Sequence, residues 1–185
     1  ALAYRFAKDH GYEVPDQAHF WSIIGDSEFR EGSLHECMPD VAERHLNSVT
    51  WIIDYNRQNL DGARIKSEEM TGTDADRIER LARANCWDVI NVRHGALRTK
   101  FFNETGGDLL RKIFEKHLTD YEFQALLMAR DGKVARARFV ELEPGLERVL
   151  AALSDEEVQE LVENVGGHDI GLLIDVFNQC RKASR

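Results

Sequence analysis

"FWSIIGDSEFREG", residues 20–32, stays apolar through Ile24 and then breaks at Gly25-Asp26 into charge. A short run rich in β-branched and aromatic residues, ended by glycine, reads as a strand. The carboxylate just past its end is then capping a turn or holding a ligand. Two further runs share this character, VTWIIDY at 49–55 and WDVINV at 87–92. Each is nearly continuous rather than alternating, the pattern of strands covered on both faces in a parallel sheet.

Helical stretches separate the three runs, at 32–46 and at 74–85, where Ile78, Leu81 and Ala82 recur at three to four residues. Strand, helix, strand, helix, strand predicts an α/β fold: an open, mainly parallel sheet with right-handed crossovers and flanking helices. The second half reads as helix-rich, with segments at 108–117, 121–129 and 169–181 and another opened by Pro144. Ser154-Asp155-Glu156-Glu157 has the form of an N-cap with an acidic first turn. At the start, Leu2 and Phe6 share a helical face that Gly11 closes. Polar stretches at 61–73 and 130–138 are the expected loops.

At 185 residues and 43% hydrophobic, the chain suits one ordinary domain with a real core. Its 24 Lys and Arg against 33 Asp and Glu give a net charge of −9, which argues against a nucleic-acid surface. A phosphate-bearing partner must then be held by backbone amides or a metal. Cys37, Cys86 and Cys180 share no metal-ligand or redox spacing and read as reduced thiols of a cytoplasmic protein. No signal peptide or membrane span is visible, and the chain begins at Ala1 in mid-pattern, which suggests a piece of a longer protein.

In open α/β sheets, ligands lie beyond the carboxyl ends of the strands. Two such ends carry chemistry here: Gly25-Asp26-Ser27-Glu28 and Asp54-Tyr55-Asn56-Arg57-Gln58. One intervening helix places Asp26 beside Asn56. A carboxylate, a carboxamide and a main-chain carbonyl form a hard-oxygen set suited to Mg²⁺ or Ca²⁺ and poor for zinc. Gly25 and the amides of the following helix suit a diphosphate. Taken singly, Asp26 and Asn56 are ordinary turn formers.

GDSEFREG followed by IDYNRQNLDG, with Asp26 and Asn56 thirty residues apart, resembles the thiamine-diphosphate signature. NRQNLDG, WDVINVRHG, NETGGDLLRKIF, ARDGKVARARF and ENVGGHD, in that order, resemble the homodimeric pyruvate dehydrogenases of the transketolase-like superfamily. The resemblance implies side-chain Mg²⁺ ligation by Asp26 and Asn56, and main-chain ligation by Gln58. It implies backbone contact of Gly25 and Ser27 with the diphosphate, with Glu28 near it, and a dimer contact at Glu31, which otherwise reads as a capping carboxylate. It further implies decarboxylation of pyruvate or another 2-oxo acid and transfer of the acyl unit to a lipoyl-bearing acyltransferase. Residues 1–185 then form a single diphosphate-binding domain incomplete at both ends, inactive alone because the family's activating glutamate comes from another domain.

Three departures matter. Ser27 replaces the family's glycine, Asp54 and EGSLHE (31–36) look more like transketolase, and Arg138 falls where the family carries an active-site histidine. Arginine does not cycle protons near neutral pH. A transketolase-type ketol transferase and a non-catalytic domain with an assembly role therefore stay open. His94 reads as a turn or site histidine; His35 and His168 read as structural.

Overall fold

The computed structural model describes residues 1–58 and 73–183. The chain forms two compact units, Ala1–Ile90 with Asp175–Arg185, and Asn91–Ile174.

In the first unit, α1 (Leu2–Asp9) precedes β1 (Phe20–Gly25), a 3₁₀ turn (Glu28–Arg30), α2 (Gly32–Glu43), β2 (Val49–Asp54) and α3 (Asp74–Ala84). β1 and β2 pair in parallel from Phe20 against Val49 to Gly25 against Asp54. Parallel neighbours require a crossover, which α2 supplies. Ile24, Phe29 and Met38 form the buried core, packed by Leu34, Trp51, Ile53, Ile78, Leu81 and Trp87. Trp87 anchors this packing by donating its indole N–H to the Met38 carbonyl at 2.9 Å and lying 4.6 Å from Trp51. α3 opens with a reciprocal box between Thr73 and Asp76.

Two expectations for the sheet need correction. Residues 87–92 form no strand; among the described residues the sheet has two strands, and the next bridge is the isolated pair His94 and Val165. An apolar run acquires strand geometry only by finding a ladder partner, and among the described residues this one has no ladder. Nor is β1 covered on both faces: Ile24 is buried whereas Ile23 is 74% exposed. α1 also forms as expected, and Gly11 closes it at φ +74, yet Leu2 and Phe6 remain exposed.

The second unit is helical: α4 (Ala96–Phe102), α5 (Gly107–Lys112), a π turn (Ile113–His117), α6 (Asp120–Ala129), α7 (Gly132–Leu142), α8 (Leu146–Leu150), α9 (Asp155–Glu163) and a 3₁₀ turn (Gly166–His168). α10 (Ile170–Ala183) begins in this unit, and its later residues belong to the first. The core gathers Leu110, Ile113, Phe139, Leu146, Leu150, Val158 and Val162, all fully buried, around Phe102, Phe114 and Phe123. α7 and α9 approach so closely that a Cβ on Gly132 would lie 1.7 Å from the Asp155 carbonyl oxygen. Only glycine fits there. Residues 130–138, expected as a loop, are mostly α7, which buries Ala135 and Phe139.

Thr119 with Glu122, and Ser154 with Glu157, close reciprocal capping boxes at α6 and α9. Such caps contribute about 1 kcal/mol each. Among the described residues no helix is long and apolar enough to cross a membrane, and Cys37, Cys86 and Cys180 form no disulfide.

Candidate functional site

The parallel register sets the geometry of the strand tips. Gly25 stands opposite Asp54, and the Asp26 amide extends the ladder by donating to the Asp54 carbonyl at 3.2 Å. Asp26 is therefore the first residue past β1, and Asn56 is two residues past β2 on the neighbouring strand. The structure brings both residues to the same end of one strand pair.

Asp26 is only 9% exposed. Its Oδ1 accepts the Ser27 amide at 2.8 Å, so a backbone hydrogen bond orients the carboxylate. Ser27 has φ −67 and ψ −44, which any L-residue adopts, and the missing third glycine therefore brings no backbone strain. Asn56 closes a local turn: its Oδ1 accepts the Gln58 amide at 2.8 Å, and its Nδ2 donates to Asp54 Oδ2 at 3.3 Å. Between them Arg57 takes the left-handed conformation, φ 62. Asn56 and Gln58 are exposed at the rim.

The amide expected to face a diphosphate is engaged. Gly25 N–H donates to Glu28 Oε2 at 2.8 Å, and the element that follows is a three-residue 3₁₀ turn rather than a helix. α2 begins only at Gly32, with Glu31 at its N-cap making no side-chain capping bond. Among the described residues no three His, Cys, Asp or Glu side chains converge as a metal cluster. The oxygens at the tips are those of the Asp26, Glu28 and Asp54 carboxylates, the Asn56 carboxamide and the backbone carbonyls, a set that fits a hard, partly hydrated cation and lacks soft ligands.

The remaining candidates lie elsewhere. Arg138, on α7, is ion-paired to Glu122 and Glu141. Hydrogen bonds from Thr119 and Arg138 hold the Glu122 carboxyl down to about 2. His35 bonds the Phe29 carbonyl, and Asp169, after His168, accepts the Ala96 and Leu172 amides.

His94 is half-buried, with Nδ1 3.0 Å from Arg98 Nη1 and Nε2 3.3 Å from Glu115 Oε1. Burial, then the charges of Arg98, Arg93 and Arg111, push its pKa down to about 3. The sequence reading passed over Arg98 and Glu115. Arg98 lies in the first turn of α4, whose N-cap Gly95 directly follows His94, so closeness in sequence was the signal available for it.

No protein-family model matches the chain. Pyruvate dehydrogenase E1 components do match: that of Corynebacterium glutamicum at 25% identity over 89% of this chain, that of Mycolicibacterium smegmatis at 27% over 89%, and that of Pseudomonas aeruginosa at 26% over 95%. The chain spans about a fifth of those relatives, 17%, 17% and 19% of their length. It is a distant homologue of pyruvate dehydrogenase E1 components.

Proposed function

We propose that the chain is a Mg²⁺ and thiamine-diphosphate-binding module of a pyruvate dehydrogenase. The observation that carries this reading is the register of β1 on β2, which sets Asp26 and Asn56, thirty residues apart in sequence, at adjoining strand tips. Distant homology to pyruvate dehydrogenase E1 components along most of the chain supports the same assignment.

Asp26 Oδ and Asn56 Oδ1 are the side-chain oxygens that would hold Mg²⁺, with the Gln58 carbonyl as third ligand. An asparagine oxygen has two lone pairs, so accepting the Gln58 amide leaves Asn56 Oδ1 able to ligate. The backbone of Gly25 and Ser27 would meet the diphosphate, with Glu28 alongside. Glu28 must release the Gly25 amide if that amide is to serve a phosphate oxygen. Thiamine diphosphate supplies a nucleophilic carbon and an electron sink for loss of CO₂ from a 2-oxo acid. The residues here bind and orient; a neutralised diphosphate suits a chain of net charge −9 that offers few cations at this end. In the whole protein, pyruvate is the substrate, a lipoyl-bearing acyltransferase the acceptor, and the assembly a homodimer.

Calorimetric titration of the whole protein with thiamine diphosphate, with and without Mg²⁺, tests the reading. Metal-dependent heat is expected, and Asp26→Ala should weaken it at least about a hundredfold, the loss of a charged ligand. Unchanged affinity in that variant would refute the role given to Asp26. A second reading, a non-catalytic domain with an assembly role, is favoured by Arg138, which is pinned between two glutamates where the resemblance places a histidine. Absence of any cofactor-dependent heat in the wild-type protein would select it.

A further inference from the structure

We propose that Arg30 is a positioning residue for Asp26: through its ion pair with Asp74 it holds the turn that aims the Asp26 carboxylate. This role rests on the metal-ligand reading of Asp26. The contacts start at the carboxylate itself. Asp26 Oδ1 accepts the Ser27 amide at 2.8 Å, so the carboxylate points where the Ser27 backbone directs it. The Ser27 carbonyl in turn accepts the Arg30 amide at 3.0 Å, and the Glu28 carbonyl accepts the Glu31 amide at 2.9 Å. Where Arg30 sits therefore bears on where the Ser27 amide points.

A 3₁₀ turn of three residues holds such an alignment poorly by itself, because its hydrogen bonds are weaker than those of an α-helix and one turn gains little from cooperativity. Outside contacts supply the stiffness. The Phe29 side chain is 3% exposed in the core of the first unit. His35 Nε2 bonds the Phe29 carbonyl at 2.9 Å, and since a carbonyl only accepts, the ring proton sits on that nitrogen. Arg30 adds a tie to α3: its Nη2 donates to Asp74 Oδ2 at 2.9 Å across 44 positions of sequence.

The anchor at the other end is itself fixed. Asp74 is the first residue of α3, directly after Thr73, whose reciprocal box with Asp76 closes the helix start. Asp74 Oδ1 lies 3.6 Å from Arg77 Nη1 while Oδ2 meets Arg30. The Arg30 and Asp74 side chains are 20% and 21% exposed, whereas those of Arg44 and Asp40, four residues apart, are 52% and 51% exposed. A half-exposed local pair is screened and loses little when broken; a mostly covered pair between separate elements keeps more of its strength. The sign of the effect separates position from charge. Removing a cation from the neighbourhood of a Mg²⁺ site should by Coulomb's law tighten the metal, whereas loosening a ligand's support should weaken it, because the freed carboxylate must be ordered again on binding.

The test joins hydrogen exchange of the whole protein without ligand, read by mass spectrometry over residues 25–31, to calorimetric titration with thiamine diphosphate at graded Mg²⁺. Arg30→Met should speed exchange over 25–31 about tenfold while residues 155–163 of α9 keep their rate. It should also raise the Mg²⁺ needed for half-maximal binding roughly three- to tenfold. Arg30→Lys, which keeps a charged donor, should recover most of both. Asp74→Asn should act in the same direction as Arg30→Met, and the double variant should be no worse than the worse single change, as a shared contact requires. If Arg30→Met fails to fold, Asp74→Asn takes its place. Unchanged exchange over 25–31, additive losses in the double variant, or tighter Mg²⁺ binding in Arg30→Met overturns the role given to Arg30. A wild-type protein that shows no Mg²⁺-dependent binding would instead refute the metal reading of Asp26, and the exchange arm would still decide whether Arg30 holds the turn.

Discussion

The two units bury their cores on different scales. Among the described residues, the second unit closes fourteen hydrophobic side chains to solvent in one cluster, whereas the first closes three, Ile24, Phe29 and Met38, and leans on half-buried neighbours. Yet it is the sparsely packed unit that presents the Asp26 and Asn56 tips. The contrast separates two tasks. The helical unit spends its sequence on packing, and the sheet unit spends it on presenting backbone and polar groups at a rim. Elements that bind or open are drawn from the less stable parts of a fold.

Substitutions test that division, the largest effects first. Phe139→Ala removes a fully buried ring from the centre of the dense core and should cost about 3–5 kcal/mol in thermal or denaturant unfolding. A loss below about 1 kcal/mol would show the second core to be loosely packed after all.

His94 offers a pH lever on the same unit. Its folded pKa, about 3, lies below the usual 6.5, so above 6.5 the ring is neutral folded or unfolded and its contribution is fully present. As the pH falls from 6.5 towards 3, the unfolded chain takes up a proton that the folded chain refuses, and stability declines by at most about 1.4 kcal/mol per pH unit. His94→Gln should flatten that slope between pH 6 and 4; an unaltered slope would mean the ring is not held neutral.

Thr119→Ala, which takes away one half of a capping box, should cost about 1 kcal/mol at neutral pH and less as the pH falls towards about 2, where the folded Glu122 carboxyl takes up its proton. Ile23→Ala, on the exposed face of β1, should stay within about 0.5 kcal/mol despite removing as many carbons as a core truncation would. A larger loss at Ile23 would erase the distinction between the two units.

What the sequence disclosed follows the physics of short-range signals. Capping residues act within one turn, so the start of α9 at Ser154 was legible, as was the α3 segment from its apolar spacing. The placement of Asp26 and Asn56 at one end of the strand pair was legible too, because one helix between two parallel strands leaves a single simple topology. Signals that depend on distant partners were not. WDVINV has strand composition but joins no ladder among the described residues. Residues 130–138 carry four cations and a glycine and so resembled a loop, yet Ala135 and Phe139 turn inward while Arg136 spans to the carbonyls of Leu150 and Leu153 and to Asp155. Arg98 reads as surface in any hydropathy scale; its burial depends on carbonyls more than sixty residues away. At the tips, the Glu28 bond to the Gly25 amide depends on a turn geometry that composition does not encode.

The pairing of Gly25 with Asp54 also makes the chemistry all-or-none. Because successive strand side chains point to opposite faces, a slip of one position would turn Ile24 out to water and Ile23 in, and would at the same time shift one loop tip along the other by about 3.3 Å. The greasy face and the oxygen-bearing rim are thus locked to a common ratchet. A chain that folds its sheet correctly has already aligned the rim, with or without any guest to occupy it.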